Sequence, residues 1–138
     1  MFVGAFERTI DDKGRLAMPA NFRDRLGDHC YLVKGLDKCV SVIPSDVFER
    51  EADRIDAQEA AGEITRNEAR AWFASATAVH FDKQGRVIID DDLRTYAGLT
   101  PSSTATIAGR RTKLEIWSAD RFARINDEGS GGLAGDGE

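Results

Sequence analysis

A mixed β/α domain, mainly β and made from two tandem repeats with flanking helices, is the fold class this sequence predicts. The first observation is internal self-similarity. Asp11-Asp12-Lys13-Gly14-Arg15-Leu16-Ala17-Met18 lines up with Asp82-Lys83-Gln84-Gly85-Arg86-Val87-Ile88-Ile89, an offset of 71 residues. Phe22-Arg23 then matches Leu93-Arg94, and Gly27 matches Gly98. After a three-residue shift, Val40-Ser41-Val42-Ile43 faces Leu114-Glu115-Ile116-Trp117. The second observation is that each copy reads as short strands broken by Gly turns and one short helix. The third is size. A unit of about 45 residues buries too little surface to fold alone, and its short strands would leave open edges. Two copies interleaved into one closed barrel would remove both problems. A chain of 138 residues, 41% of them hydrophobic, suffices for one such domain.

The elements follow in order. Residues 2–6 and 76–81 open the two copies as strands. Asp at the first position and Gly at the fourth of the next turn suit a type I turn, with Gly14 and Gly85 closing it. Pro19 starts a short helix over 19–26, because its missing N–H would be unpaired there anyway. The counterpart covers 90–97, and Gly27 and Gly98 stop the two helices. Strands 31–33 and 40–42 flank a hairpin at Gly35. Strands 104–108 and 114–117 flank a basic one, Arg110-Arg111-Thr112-Lys113.

Between the copies lies a helical insert. Phe48, Ala52 and Ile55 share one face of a helix starting near Ser45, and Gly62 interrupts it. Thr65-Arg66-Asn67-Glu68 has capping-box spacing, with Ala69, Trp72, Phe73 and Ala76 following at helical period. The division is then a first unit at 1–47, an insert at 48–75, a second unit with a C-terminal helix at 76–126, and a tail at 127–138. The tail lacks a core-forming pattern and is expected to be disordered.

Net charge is −5, which taken alone argues against nucleic acid. The average is misleading. Residues 1–44 carry seven Lys/Arg against six Asp/Glu, and 79–113 carry six against four, whereas 45–78 and 114–138 are acidic. A polyanion would therefore meet the repeated units rather than the insert or the C-terminal segment. No apolar run approaches the roughly 18 residues of a membrane span. The N-terminus meets Glu7 too early for a secretory signal. Cys30 and Cys39 are too few for a disulfide framework, and a reducing cytoplasm is expected.

Asp-x-x-Gly-Arg, followed by three apolar residues, Pro and a short Arg-bearing helix, resembles the SpoVT–AbrB DNA-binding unit. Two such units, opened by Met1-Phe2-Val3-Gly4 and joined by two helices, resemble a tandem-repeat branch of bacterial transcriptional regulators over residues 1–126. Ala97-Gly98-Leu99 and Glu115-Ile116-Trp117 add to that likeness. The resemblance implies a pseudo-two-fold swapped-hairpin β-barrel of the AbrB type. It also implies a ring homo-oligomer that binds double-stranded DNA sequence-specifically. The expected target is a set of short G-containing direct repeats upstream of its own operon, the division and cell wall cluster, and the expected location is cytoplasmic and nucleoid-associated.

Chemistry singles out Arg15 and Arg86. The Arg fork donates two parallel hydrogen bonds to phosphate or guanine, and an Arg just after a tight turn sits on a rigid strand start. Asp11 and Asp82 would be repulsive beside phosphate, so they are read with Gly14 and Gly85 as structural support. The family pattern carries a basic residue three positions before the Asp, matched by Arg8, and others on the short helix, matched by Arg23 and Arg94. Lys13 and Lys83, inside the turns, complete the DNA-facing set. Val79 replaces the upstream cation in the second copy, and Asp24 stands where a second helix Arg is common. The N-terminal half is thus expected to carry more of the affinity. Arg25 is read as a solvated helix face, and Arg110, Arg111 and Lys113 stay outside the main site.

Three other readings compete with binding to double-stranded DNA. An enzyme is disfavoured: His29 and His80 are the only histidines, and neither lies in a nucleophile elbow or a zinc motif. Cys30 beside His29 on a strand would point to the opposite face. No catalytic residue, metal, cofactor or small-molecule substrate is therefore predicted. The alternative is an AbrB-like interaction module, antitoxin-type or scaffold, with weak non-specific DNA binding. A second full copy and a Gly-rich tail nearly devoid of hydrophobic anchors speak against it. RNA would call for stacking aromatics near the Arg motifs, which are absent.

Overall fold

The computed structural model describes residues 1–136. The first copy contributes β1 (Ala5–Thr9), β2 (Arg15–Ala17), α1 (Ala20–Leu26), β3 (His29–Lys34) and β4 (Val40–Pro44). The insert is α2 (Phe48–Ala60) and α3 (Arg66–Ser75). The second copy repeats the series as β5 (Thr77–His80), β6 (Arg86–Ile88), α4 (Asp91–Ala97), β7 (Thr104–Gly109) and β8 (Leu114–Ser118), followed by α5 (Ala119–Ala134).

The strands interleave across the copies. One antiparallel sheet has the order β1-β7-β8-β4-β3-β5, and β2 and β6 form a separate ribbon. β1 of the first copy therefore lies on β7 of the second, while β5 of the second lies on β3 of the first. The pseudo-dyad passes between β4 and β8 and again between β2 and β6. The expected closed barrel is not what the pairing shows. The six-stranded sheet ends at β1 and β5, which are not hydrogen-bonded to each other, and the ribbon has only three residues per strand. The Asp turns that follow β1 and β5 take the chain out of the large sheet before either edge is paired.

The ribbon and the short helices cover the sheet's core face. Leu16, Met18, Phe22, Leu32, Ile89, Leu93, Ile107 and Ile116 are all buried in one cluster. Phe22 of α1 meets Phe6 and Phe2 edge to face, with centroids 5.3 and 5.9 Å apart. The insert docks on the outer side of β3. Tyr31 stacks on Phe48 at 4.0 Å, and Phe48 on Trp72 at 5.5 Å. The Thr65 capping box is present, with the Glu68 N–H donating to Thr65 Oγ1 at 3.0 Å and the Thr65 N–H to Glu68 Oε1 at 2.7 Å. Arg121 of α5 donates to the carbonyls of Lys38 and Ala97, both at 3.1 Å, and so ties the helix to both copies.

Three boundaries differ from expectation. The first strand starts at Ala5, because Gly4 adopts φ +87° and leaves Phe2 as an isolated bridge to Arg111. Pro19 flanks α1 rather than lying in its first turn, with ψ 139°. The segment expected to be disordered from residue 127 is helical as far as Ala134. Once Ser118 has capped the first turn and Phe122 has docked on Trp117, the helix is nucleated and each further residue adds a hydrogen bond. Gly135 then closes the helix in the left-handed conformation. The last two residues of the expected tail, 137 and 138, lie outside the described residues.

Candidate nucleic-acid interface

The two Asp-x-x-Gly-Arg turns share one construction. In the first, Asp11 Oδ1 accepts the backbone N–H of Lys13 at 2.9 Å and of Arg15 at 2.8 Å. In the second, Asp82 Oδ1 accepts those of Gln84 and Arg86, both at 2.9 Å. The second carboxylate oxygen takes the arginine. Arg15 Nε donates to Asp11 Oδ2 at 2.6 Å and Arg86 Nε to Asp82 Oδ2 at 2.8 Å. Each guanidinium is thus anchored through Nε. The backbone N–H of Arg15, foremost, then its guanidinium, hold the Asp11 carboxyl down at about 2. Asp82 is lowered for the same reasons, led by the Arg86 N–H.

The ribbon brings the turns together. Arg15 pairs with Ile88, and Ala17 with Arg86. The N–H of Met18 donates to the carbonyl of Gly85, and that of Ile89 to the carbonyl of Gly14, both at 3.0 Å. Arg86 Nη1 lies 3.8 Å from Asp11 Oδ2, which couples the two ion pairs across the pseudo-dyad.

Helix cations reach the opposite turn. A Cβ at Gly14 would lie 2.8 Å from Arg94 Nε, and one at Gly85 would collide with the guanidinium of Arg23. Both glycines have positive φ, +78° and +76°. They therefore serve twice, admitting the turn and leaving room for an arginine from the other copy. Arg94 is held further by the Ile89 carbonyl at 2.8 Å and by Asp91.

The exchange separates two local fields. Arg94 and Lys13 border the same cleft as Asp90, Asp91 and Asp92. The second turn, with Lys83 and Arg86, has Arg23 as its helix neighbour instead. Lys13 and Lys83 are both exposed at their turn tips. Arg8 is not part of this group: it lies on the exposed edge strand β1, its guanidinium 5.9 Å from the Phe6 ring centre. The 110–113 cluster is dispersed, with Lys113 Nζ on Glu51 at 2.9 Å and Arg110 Nε 3.8 Å from Glu115.

One ribbon residue escaped sequence reasoning. Ile88 is 60% exposed beside Arg15. The signal was available, because residue 88 lies two places past Arg86 in a strand and shares its face. Among the described residues there is no cluster of three or more His, Cys, Asp or Glu side chains able to hold a metal, and no helix long and apolar enough to cross a membrane.

Residues 1–68 and 72–131 match a family model described as MraZ protein, with an antitoxin-like designation. A protein named transcriptional regulator MraZ from Thermomicrobium roseum is 39% identical over 123 residues, covering 89% of this chain and 85% of that protein. Its namesake from Roseiflexus castenholzii is 40% identical, covering 91% and 86%. That of Salinispora arenicola is 42% identical, covering 89% and 84%. With the family model spanning nearly the whole chain and relatives this similar, the chain belongs to the MraZ family.

Proposed function

We propose that this chain is a sequence-specific DNA-binding regulator of transcription, not an enzyme. One observation carries the reading: two identically built Asp-x-x-Gly-Arg turns stand side by side on one ribbon, each presenting an Nε-anchored arginine. Anchoring removes side-chain freedom before docking, so less entropy is lost when the terminal nitrogens meet guanine or phosphate. The relatives' name, transcriptional regulator, supports the same reading.

In this reading Arg15 and Arg86 contact DNA directly, with Lys13, Lys83, Arg23 and Arg94 as phosphate neighbours. Asp11, Asp82, Gly14 and Gly85 hold the turns. Arg8, away from the ribbon, serves at most a flanking phosphate. The exchange of helices changes the balance between halves. Each turn has a helix arginine beside it, Arg23 at the Arg86 turn and Arg94 at the Arg15 turn, but only the Arg15 turn also borders the carboxylates of Asp90, Asp91 and Asp92, so Arg86 contributes at least as much as Arg15. If all six ribbon-proximal cations met phosphate, the salt slope would be about −5 per chain. Tight binding then calls for several chains on successive direct repeats, which a ring homo-oligomer of swapped-hairpin units would supply through effective concentration. The target is the set of direct repeats upstream of the chain's own operon, and the setting is the cytoplasmic nucleoid.

Hydroxyl-radical footprinting on that upstream region tests the proposal. Protection should fall on regularly spaced G-containing repeats. Uniform protection, or none with a folded protein, would move weight to the interaction-module reading that the antitoxin-like designation favours.

A further inference from the structure

Away from the ribbon, a cavity of about 350 Å³ opens between the α2–α3 insert and the sheet. It falls within the usual range of small-molecule pockets. Trp72, Ile55, Ile64 and Tyr96 give it an apolar, partly aromatic lining. Phe48 stacks on Trp72 at 5.5 Å with planes 14° apart, and the Tyr96 hydroxyl donates to the Gly35 carbonyl at 2.5 Å. Both rings are therefore fixed before any ligand arrives.

Three cations line this space, Lys34, Arg54 and Lys113, of which Lys34 is already paired with Asp92 at 3.3 Å. Of the two carboxylates there, Glu68 is engaged in the α3 cap. Glu51 serves two cations at once, taking Lys113 Nζ at 2.9 Å on Oε1 and Arg54 Nη1 at 3.1 Å on Oε2. Lys113 uses one of its three N–H donors on Glu51, and Arg54 one of its five. The Glu51 group therefore keeps one net positive charge and several unused donors. An apolar slot beside that group selects for a planar apolar body ending in an anion.

We propose that this cavity is a binding site for small aromatic anions, with the ring against Trp72 and Ile64 and the carboxylate, sulfonate or phosphate on Arg54 and Lys113. Its walls come from both copies and the insert, so it exists only in the interleaved fold. It is separate from the ribbon and does not depend on DNA binding.

Titration of the full chain with anilinonaphthalene sulfonate, followed by probe emission and by quenching of tryptophan fluorescence, tests this. One saturable site is expected, with Trp72→Phe reducing the quench. Arg54→Met and Lys113→Met should each weaken binding about tenfold or more, the loss of a hydrogen bond to a charged group. Neutral phenylnaphthylamine, the same skeleton without the sulfonate, should bind about tenfold more weakly. Arg54 is largely exposed, so Arg54→Met keeps its fold and decides the matter even if Lys113→Met unfolds. Absence of saturable binding, unchanged affinity in Arg54→Met, or equal binding of the neutral probe would each overturn the proposal.

Discussion

Asp11 shows how much one side chain does here. Its carboxyl caps two backbone N–H groups and holds Arg15, which lowers its pKa from 3.8 to about 2. A depressed carboxyl stabilises the fold fully above its unfolded value and loses that contribution as pH falls through the folded one. The urea midpoint is therefore expected to drop between about pH 4 and pH 2, with a smaller drop in Asp11→Asn; an equal drop in the variant would remove Asp11 as the cause. Gly85 gives a second test, because φ +76° strains any other residue and Arg23 fills the space above it. Gly27 has nearly the same φ, +77°, with nothing within 4 Å of a Cβ. Gly27 also has ψ −152°, a conformation essentially confined to glycine, so Gly27→Ala should cost roughly 1–3 kcal/mol in thermal unfolding from backbone strain alone. Gly85→Ala should in addition weaken DNA binding by displacing Arg23, which Gly27→Ala should not. Sequence reasoning found the turn requirement of this glycine. The arginine above it was invisible, because Arg23 arrives from the other copy and no local pattern reports an exchange.

At the level of elements, periodicity and capping chemistry were legible. The Thr65 capping box, the helix ends at Gly27 and Gly98, and the paired hairpins of the two copies all stand where short-range rules put them. The C-terminal segment departs from expectation because its composition does not report the docked turn that precedes it. Glycines at 129, 131 and 132 are poor helix formers, yet the docked turn at Phe122 starts a helix that runs on through them. Past Asp127 that helix buries nothing, and Leu133 is 93% exposed. A chain ending at Asp127 should accordingly lose helical circular dichroism while keeping its unfolding temperature. A marked fall in that temperature would show that the last two turns pack on something.

At the level of the molecule, the internal repeat made interleaving foreseeable, but not the edge geometry. Among the described residues, four of the six strand pairings join opposite copies, and only β3–β4 and β7–β8 lie within one. Neither half should therefore fold as a monomer. Fragments cut after Gly62 should be unfolded apart and form a one-to-one folded complex when mixed, as read by circular dichroism and sedimentation. The same interleaving places Arg23 at the Arg86 turn, and Arg94 with three aspartates at the Arg15 turn; under the proposed function Arg86 then contributes at least as much as Arg15, whereas counting cations along the sequence favours the N-terminal half.

Fluorescence anisotropy decides whether the paired turns form the DNA-reading surface. Wild type, Arg15→Ala and Arg86→Ala would be titrated against the chain's own upstream region and a scrambled duplex at several salt concentrations. Each variant should lose about 1–3 kcal/mol of preference for the native repeats, with Arg86→Ala losing at least as much as Arg15→Ala. Folded variants that bind and discriminate as well as wild type would contradict the assignment of the ribbon as the DNA site.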